Sequence, residues 1–562
     1  MSEDKKALEI IARNDQLKAA RSVFESIWQE LAYVIQPRKD NIQQQSSPNA
    51  DLNAWLFDTT AIDANLTLSA GQLQYITPSS ERWFSYQYPA QLAARQPDGE
   101  IPDDAAQWFA QCTEIAIREL AGSNFYTEVH EMYLDRGGFG TAALYVQEGK
   151  RAALNFHCPR VGSYCIAEDD EGFVDTVFRE FQMTARQMVQ KFGEKEVGEK
   201  VLKAYKEPRT METKFTVIHA VYPRAEDQRE YGKRDGRNKA IASCYVCRED
   251  QKVIRESGYD ETPYSVTRYL TWNEEVYGYC PAIDVLPTIR QVNFIEKQMD
   301  ALAEKTAYPP VLIPESMENA VDLRAAGVTL FDPNNPNAMP KEWATMGRYD
   351  IGLQRTQMKQ EAIKKAFHND LFQMFAGLDR DITAYQAMQM ASEKLVMFSP
   401  TFTRLTTEFC TPCTQSIFAI LYRGGYFPDA PASVFAPNQR GEMELVLPQV
   451  AYTSKVALAI KALENRSIME LISILGPILS VSPDAIDNVE VDKLVRTLMR
   501  NQSMPTQVIR PMEEVLAKRD ARAQQMAAQQ AIASAQGVAA AAKDLGSAPP
   551  QIQEAAGAAI DI

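Results

Sequence analysis

The sequence is poor in histidine: only His130, His157, His219 and His368 occur in 562 residues, scattered through separate segments. A histidine-centred triad or a zinc hydrolase gathers imidazoles at one site, so this count argues against both. Eight cysteines are too few for a disulfide scaffold and fit a reducing compartment. Two spacings, Cys244/Cys247 and Cys410/Cys413, have the Cys-x-x-Cys form of a four-thiolate zinc site. Their contexts oppose it, because the first pair lies in an apparent strand, where residues three apart point to opposite faces, and the second in a helical segment. Both pairs are expected to be buried small side chains, with no metal and no cofactor. A phosphate loop is also missing, since Gly149-Lys150 is followed by Arg151 and lacks the preceding glycine. Gly137-Gly138-Phe139-Gly140 follows a helix rather than opening one, the reverse of an anion site, and reads as a packing or turn element. The longest apolar run, Ile468 to Val481, is broken by Glu470 and Gly476-Pro477 and is too short for a bilayer. Met1-Ser2-Glu3-Asp4-Lys5-Lys6 has no signal-peptide pattern, so a cytosolic product with no membrane partner is expected. Positive charge is the last shortage: 59 Lys and Arg stand against 74 Asp and Glu, for a net charge of −15. Such a chain repels a polyanion as a whole, which excludes a simple DNA coat or repressor.

What is present is a large globular chain. Hydrophobic residues make up 45% and charged residues 24%, values that support an extensive core. Roughly three or four domains are expected at about 100–200 residues each. The fold class is α+β and helix-rich. Helical spacing runs from Ala7 to Ile35 and ends at Pro37, and a second helix runs from Asp58-Thr59-Thr60 to Pro78. Two more are expected over Asp103–Leu120 and Ser123–Gly137. From Gly140 to Tyr279 short β-branched and aromatic runs predict a mixed β region with one inserted helix near Ala185 to Tyr205. The acidic run Glu168-Asp169-Asp170-Glu171-Gly172 sits between two strand-like runs, lacks calcium-loop spacing and reads as a hairpin turn.

A long helix is expected from about Pro287 to Ala307, stopped by Tyr308-Pro309-Pro310. A loop-rich knob follows, with Pro314, Gly327 and Asp332-Pro333-Asn334-Asn335-Pro336-Asn337. A second long helix resumes over about Gly352 to Phe375, then a loop at Ala376–Asp381. Further helices are expected over Thr383–Arg423, closed by Gly424-Gly425, and over Lys455–Gly476 and Pro483–Arg500. The alanine-rich tail from Ala521 suits a marginal helix that needs partners. On the second long helix Arg355, Lys359, Lys364 and Lys365 make a locally basic segment in an acidic protein. Arg355 and Lys359 share a face while Lys364 lies opposite Arg355, so phosphate contact and ordinary solvated or intersubunit roles both stay open. Glu296, Asp300 and Glu304 form an acidic ridge on the first.

An ordered set of motifs resembles the head-to-tail connector, or portal, proteins of short-tailed tailed bacteriophages. It comprises Trp28-Gln29-Glu30-Leu31-Ala32-Tyr33-Val34-Ile35-Gln36-Pro37-Arg38, Phe57-Asp58-Thr59-Thr60-Ala61, Leu68-Ser69-Ala70-Gly71 through Ile76-Thr77-Pro78-Ser79, and Arg82-Trp83-Phe84. Ser123-Asn124-Phe125-Tyr126, Phe139-Gly140-Thr141-Ala142, Tyr277-Gly278-Tyr279-Cys280-Pro281-Ala282, Pro309-Pro310, Ile382-Thr383-Ala384 and Ser399-Pro400 continue it. The resemblance implies a non-enzymatic virion protein forming a ring, usually of twelve copies, at one capsid vertex, through which double-stranded DNA is packaged and ejected. Its implied partners are the large terminase subunit, tail adaptor proteins, and the major capsid and scaffolding proteins. It also implies a portal-type division: an N-terminal wing over 1–280, stem helices over 281–307 and 352–375, and a clip over 308–351. A tunnel loop over 376–382, a helical wing and crown over 383–514, and an alanine-rich crown or barrel over 515–562 complete it. Arg355, Lys359, Lys365 and Arg380 are the expected DNA-channel residues. Two rival readings are another virion component, such as a tail tube or internal core, and a metal-dependent DNA-processing enzyme built on Glu168, Asp169, Asp170 and Glu171.

Overall fold

A computed structural model describes residues 3–39, 42, 56–89, 92, 101–229, 235–272, 275–313, 315, 321–322, 329–330, 334, 340–342, 349–373, 399–437, 443–454, 514–515 and 517–529. The expected loop at Ala376–Asp381, Arg380 with it, and the helices expected over Lys455–Gly476 and Pro483–Arg500 lie outside the described residues, as does most of the alanine-rich tail.

Helix α1 (Glu3–Ile35) is 33 residues long and runs into a 3-10 turn at Pro37–Lys39, where proline's missing N–H ends the ladder. It serves two cores. Ala7 and Ile10 pack under a sheet with Phe178, Ile218, Ala220 and Cys244, whereas Trp28, Leu31, Ala32 and Ile35 enter the main core. Three more helices join that core, α2 (Thr60–Ile76), α3 (Asp103–Ala121) and α4 (Phe125–Phe139). The last ends at Gly140, whose φ of +83° belongs to the left-handed region, and a Cβ there would overlap the Gly278 carbonyl oxygen. The Gly137–Gly140 run is thus a close-packed helix end, as expected.

The mixed region forms two antiparallel sheets. One has the order β3-β2-β9, from β2 (Thr141–Glu148), β3 (Leu154–His157) and β9 (Tyr264–Arg268). The other has the order β4-β5-β6-β7-β8, from β4 (Tyr164–Glu168), β5 (Val174–Thr184), β6 (Lys214–Pro223), β7 (Ile241–Cys247) and β8 (Lys252–Tyr259). Its α1-covered face and its other face are separate cores. The second is covered by α5 (Ala185–Phe192) and α6 (Glu199–Lys206). The single helix expected near Ala185–Tyr205 is therefore two. Thr184 opens α5 with a reciprocal capping box to Gln187, and Gly193 at φ +93° ends it. Antiparallel sheets set apart from the helices make the chain α+β.

The two long helices are present with different limits. α7 spans Pro281–Ala307, starting before Pro287, because Cys280 is extended and Pro281 occupies the first turn, where no N–H is needed. Pro287 stays inside and removes one ladder bond. α8 (Tyr349–Ala366) stops short of Phe375, since His368 adopts φ +55° before a short helix α9 (Asn369–Gln373). Beyond it come α10 (Ser399–Leu405), a π-helical turn at Thr406–Cys410 and α11 (Thr411–Arg423), which ends at Gly424-Gly425 with Gly425 at φ +71°. Strand β14 (Gln449–Tyr452) then pairs antiparallel with β1 (Phe84–Gln87), bringing chain-distant segments together over the main core.

Candidate nucleic-acid face of the two-helix arm

α7 and α8 pack as an antiparallel arm. Lys359 donates to Gln291, Met299 lies where Gly352 leaves room for it, and Val311 pairs with Glu342 further out. Positions therefore rise on one helix as they fall on the other. The pairing of β10 (Val311–Leu312) with β11 (Lys341–Glu342) carries the same register past the helix ends. At the root, the segment before α2 clips both helices. The amides of Phe57 and Asp58 donate to Asn293 Oδ1 at 2.9 and 3.1 Å, and Gln360 donates to Asp58 at 2.7 Å. An Arg290–Glu30 ion pair adds a tie from α7 to α1.

The burial pattern divides this arm. Leu286, Ile289 and Val292 on α7, with Ile363, Phe367 and Leu371 from α8 onward, are sealed into the main core. Other faces of the same helices, and their far end, stay open: Phe294 is 64% exposed, Met358 71% and Tyr308 84%. Of the expected channel residues on α8, Arg355 and Lys359 lie beyond buried Ile363, whereas Lys365 lies between buried Ile363 and Phe367. Arg355 is exposed and makes no ion pair among the described residues, and Lys359 is half-buried and held by Gln291. Lys365 is exposed too, but at 100° per residue it is turned about 80° from Arg355, so the three do not form one stripe. Lys364 is exposed on the side opposite Arg355.

The acidic run closes a hairpin between β4 and β5, as expected. Asp169 accepts from the amides of Glu171 and Phe173 at 3.0 and 2.8 Å, an Asx-type turn, and Gly172 has φ +83°. Glu168 points away from the others, into an ion pair with Arg268. The carboxylates are not gathered as a metal site would need. Cys244 and Cys247 lie in the cores on opposite faces of the five-stranded sheet, and Cys410 and Cys413 lie in the main core. No four-thiolate site can form from them.

The joint that sequence reasoning missed is centred on Arg268. Its guanidinium meets Glu168, the carbonyls of Gly172 and Val276 at 3.0 and 3.3 Å, and Glu408 at 2.8 Å. Its own amide also donates to Glu408 at 2.7 Å, and Arg404 adds a bond to the same carboxylate at 3.0 Å. Glu408 sits on the π-helical turn, so one arginine ties the sheets to the helices after residue 399. Nearby, buried Arg136 donates to the Thr401 carbonyl at 3.1 Å and lies 4.8 Å from the Tyr269 ring centre. Among the described residues nothing couples a nucleophile to a base in a cleft; the charges are spent on joints.

The family model described as bacteriophage head to tail connecting protein matches residues 7–509. The chain belongs to this family. The portal protein of Salmonella phage epsilon15 is 30% identical over 538 residues, covering 94% of this chain and 93% of that protein. The probable portal protein of Bordetella phage BPP-1 is 29% identical over 568 residues, covering 99% and 98%. The head-to-tail connector is thus a phage portal, a structural protein rather than an enzyme. That membership answers the enzyme rival, and the hairpin geometry at Glu168–Glu171 explains its acidic run without a metal. No helix among the described residues is long and apolar enough to cross a membrane.

Proposed function

We propose that this connector assembles as a ring of about twelve copies at one capsid vertex, with the arms packed side by side around a channel for double-stranded DNA. The arm supports this reading. An antiparallel helix pair anchored at its root, with Phe294 and Met358 exposed on its outward faces in a lone protomer, has apolar surface left for neighbouring copies. In this reading residues 281–307 and 352–375 are the stem and 308–351 the clip. The wing is formed by 1–280, and residues 383–514 with the tail from 515 form further wing, crown and barrel. Residues 376–382, with Arg380, line the tunnel.

Charge arithmetic suits a conduit. A ring multiplies each side chain about twelvefold, so one phosphate contact per subunit gives a salt slope near −11, at roughly 0.9 per phosphate. A uniformly basic wall would hold DNA fast. A protein of net charge −15 with a few cations, Arg355, Lys359, Lys365 and Arg380, centres a duplex and lets it slide, touching backbone without reading bases. The chain would work as conduit and docking platform for a terminase motor, then for tail adaptors, held among the capsid and scaffolding proteins.

Cysteine cross-linking tests the arm packing, because the eight native cysteines are buried and give little background. Phe294→Cys with Met358→Cys, treated with a bifunctional maleimide, is expected to give a ladder ending near twelve copies. Only monomers under conditions where the chain is assembled would overturn the side-by-side arms.

A further inference from the structure

The register of the five-stranded sheet places Tyr164, Arg179, His219, Tyr245 and Arg255 opposite one another in a row across five strands. Their side chains share the face that α5 and α6 partly cover, since facing residues of neighbouring strands point the same way. Two further cations reach the row. Lys191, in the last turn of α5, has its Nζ 4.8 Å from the Tyr245 ring centre, and Lys150 comes from the turn between β2 and β3. Lys150, Lys191 and Arg255 are exposed and Arg179 is half-buried. Among the described residues none of the four makes an ion pair with a carboxylate, in a chain holding 74 of them. The neighbouring strand carboxylates Glu180 and Glu256 are engaged elsewhere, with Lys18 and Arg248 and with Lys6 and Arg224.

The cations act on one another and on the histidines. Lys191 is lowered by burial and then by Arg179, Arg255 and Lys150. His157, in contact with Arg179 at 2.6 Å, is pushed down to about 4 by burial and by that guanidinium. His219 bonds Tyr264 and Ser243 at 3.0 Å and is pushed down to about 3, so neither imidazole adds charge at neutral pH. Cations kept this close with rings and an imidazole but no carboxylate for partners are stabilised by an anion from outside.

We infer that this row is a second nucleic-acid contact, separate from the arm, which takes the phosphodiester backbone of an extended strand. The strands that carry Arg179 and Arg255 are three spacings apart, about 14 Å, and Lys150 comes from the other sheet, so the cations present a line of positive charge that several successive phosphates match better than one ion. Its composition favours phosphate oxygens, because two planar guanidiniums stand beside the ammonium groups of Lys150 and Lys191, while the rings of Phe181, Phe192 and Tyr245 are already taken up beneath those cations and, for Tyr245, against His219. The inference does not rest on the channel reading.

The test is fluorescence anisotropy of the full chain with a short labelled single-stranded oligonucleotide over a salt series. The Lys150→Glu, Lys191→Gln, Arg255→Glu variant is expected to bind at least about tenfold more weakly, with a log K against log salt slope smaller by about two. Lys150→Glu with Arg255→Glu, both exposed, gives the same direction should Lys191 matter for folding. A photoreactive oligonucleotide should cross-link near Tyr245 in the wild type and in an Arg355→Ala, Lys365→Ala variant, which separates this site from the arm. Unchanged affinity and slope in both wing variants would overturn the inference. Polyglutamate displacing the oligonucleotide as well as polyphosphate does would overturn it in favour of an acidic protein segment.

Discussion

The body and the outer arm solve the burial problem in opposite ways. In the body the charges that join distant segments are answered inside the protomer: Arg268 by Glu168 and Glu408, and Lys39 by Asp135 at 2.7 Å. Trp28 is buried, yet its indole N–H donates to the Phe139 carbonyl at 3.0 Å. The outer arm leaves Phe294, Met358 and Tyr308 in the open and Arg355 without an ion-pair partner among the described residues. The joints of the body are thus made within one chain, while the arm keeps apolar surface for something beyond it. A residue's cost on substitution should follow that division.

The sharpest break comes at the Arg268 joint. Arg268→Ala leaves Glu168 without its counter-charge and nearly buried Glu408 with Arg404 alone, and is expected to destabilise by about 3 kcal/mol in denaturant unfolding. A loss below 1 kcal/mol would mean that the joint is not what holds sheets to helices. Gly140→Ala follows, at about 1–3 kcal/mol, because its left-handed φ and the Gly278 carbonyl leave no room for a methyl group; a smaller change at Gly172, where φ is equally positive but nothing stands nearby, sharpens the point.

Acid should weaken the body before the arm. His219 and His157 stay neutral in the fold, held down to about 3 and about 4, while an unfolded histidine takes up its proton near 6.5. The unfolded chain therefore binds more protons as pH falls from about 6.5 toward 4, and stability drops across that window. Melting temperature should fall between pH 6.5 and 4 in the wild type and less steeply in His157→Gln. The smallest stability effect is expected where the arm is open: Phe294→Ser and Met358→Ser should lie within about 0.5 kcal/mol of wild type in the monomer. The same pair should shift assembly toward smaller species by sedimentation, which a fully self-contained arm would not do.

Local signals were legible in the sequence where one element decides its own form. Prolines and glycines marked α1's end and α11's end, short β-branched and aromatic runs found the β region, and the strand and helix settings of the two Cys-x-x-Cys pairs foretold their burial. Pro287 misled, since a proline in the second turn resembles a start when Pro281 already is one. His368 gave no sign that it would take a left-handed φ and break the second helix. The Arg268–Glu168–Glu408 joint and the β1–β14 pair join residues far apart in the chain, and nothing near Glu408 announces its partner. Candidate channel residues were legible as an excess of cations on one helix, and so was their spread round it from 100° per residue; that Lys359 is held by Gln291 needed the helix–helix contacts.

The measurement closest to the central claim is native mass of the purified full chain together with electron imaging of the same sample. The account predicts rings of about twelve protomers with a central hole wide enough for a DNA duplex. A particle that stays monomeric or dimeric after scaffolding and capsid proteins are added, or an oligomer with no hole, would contradict it.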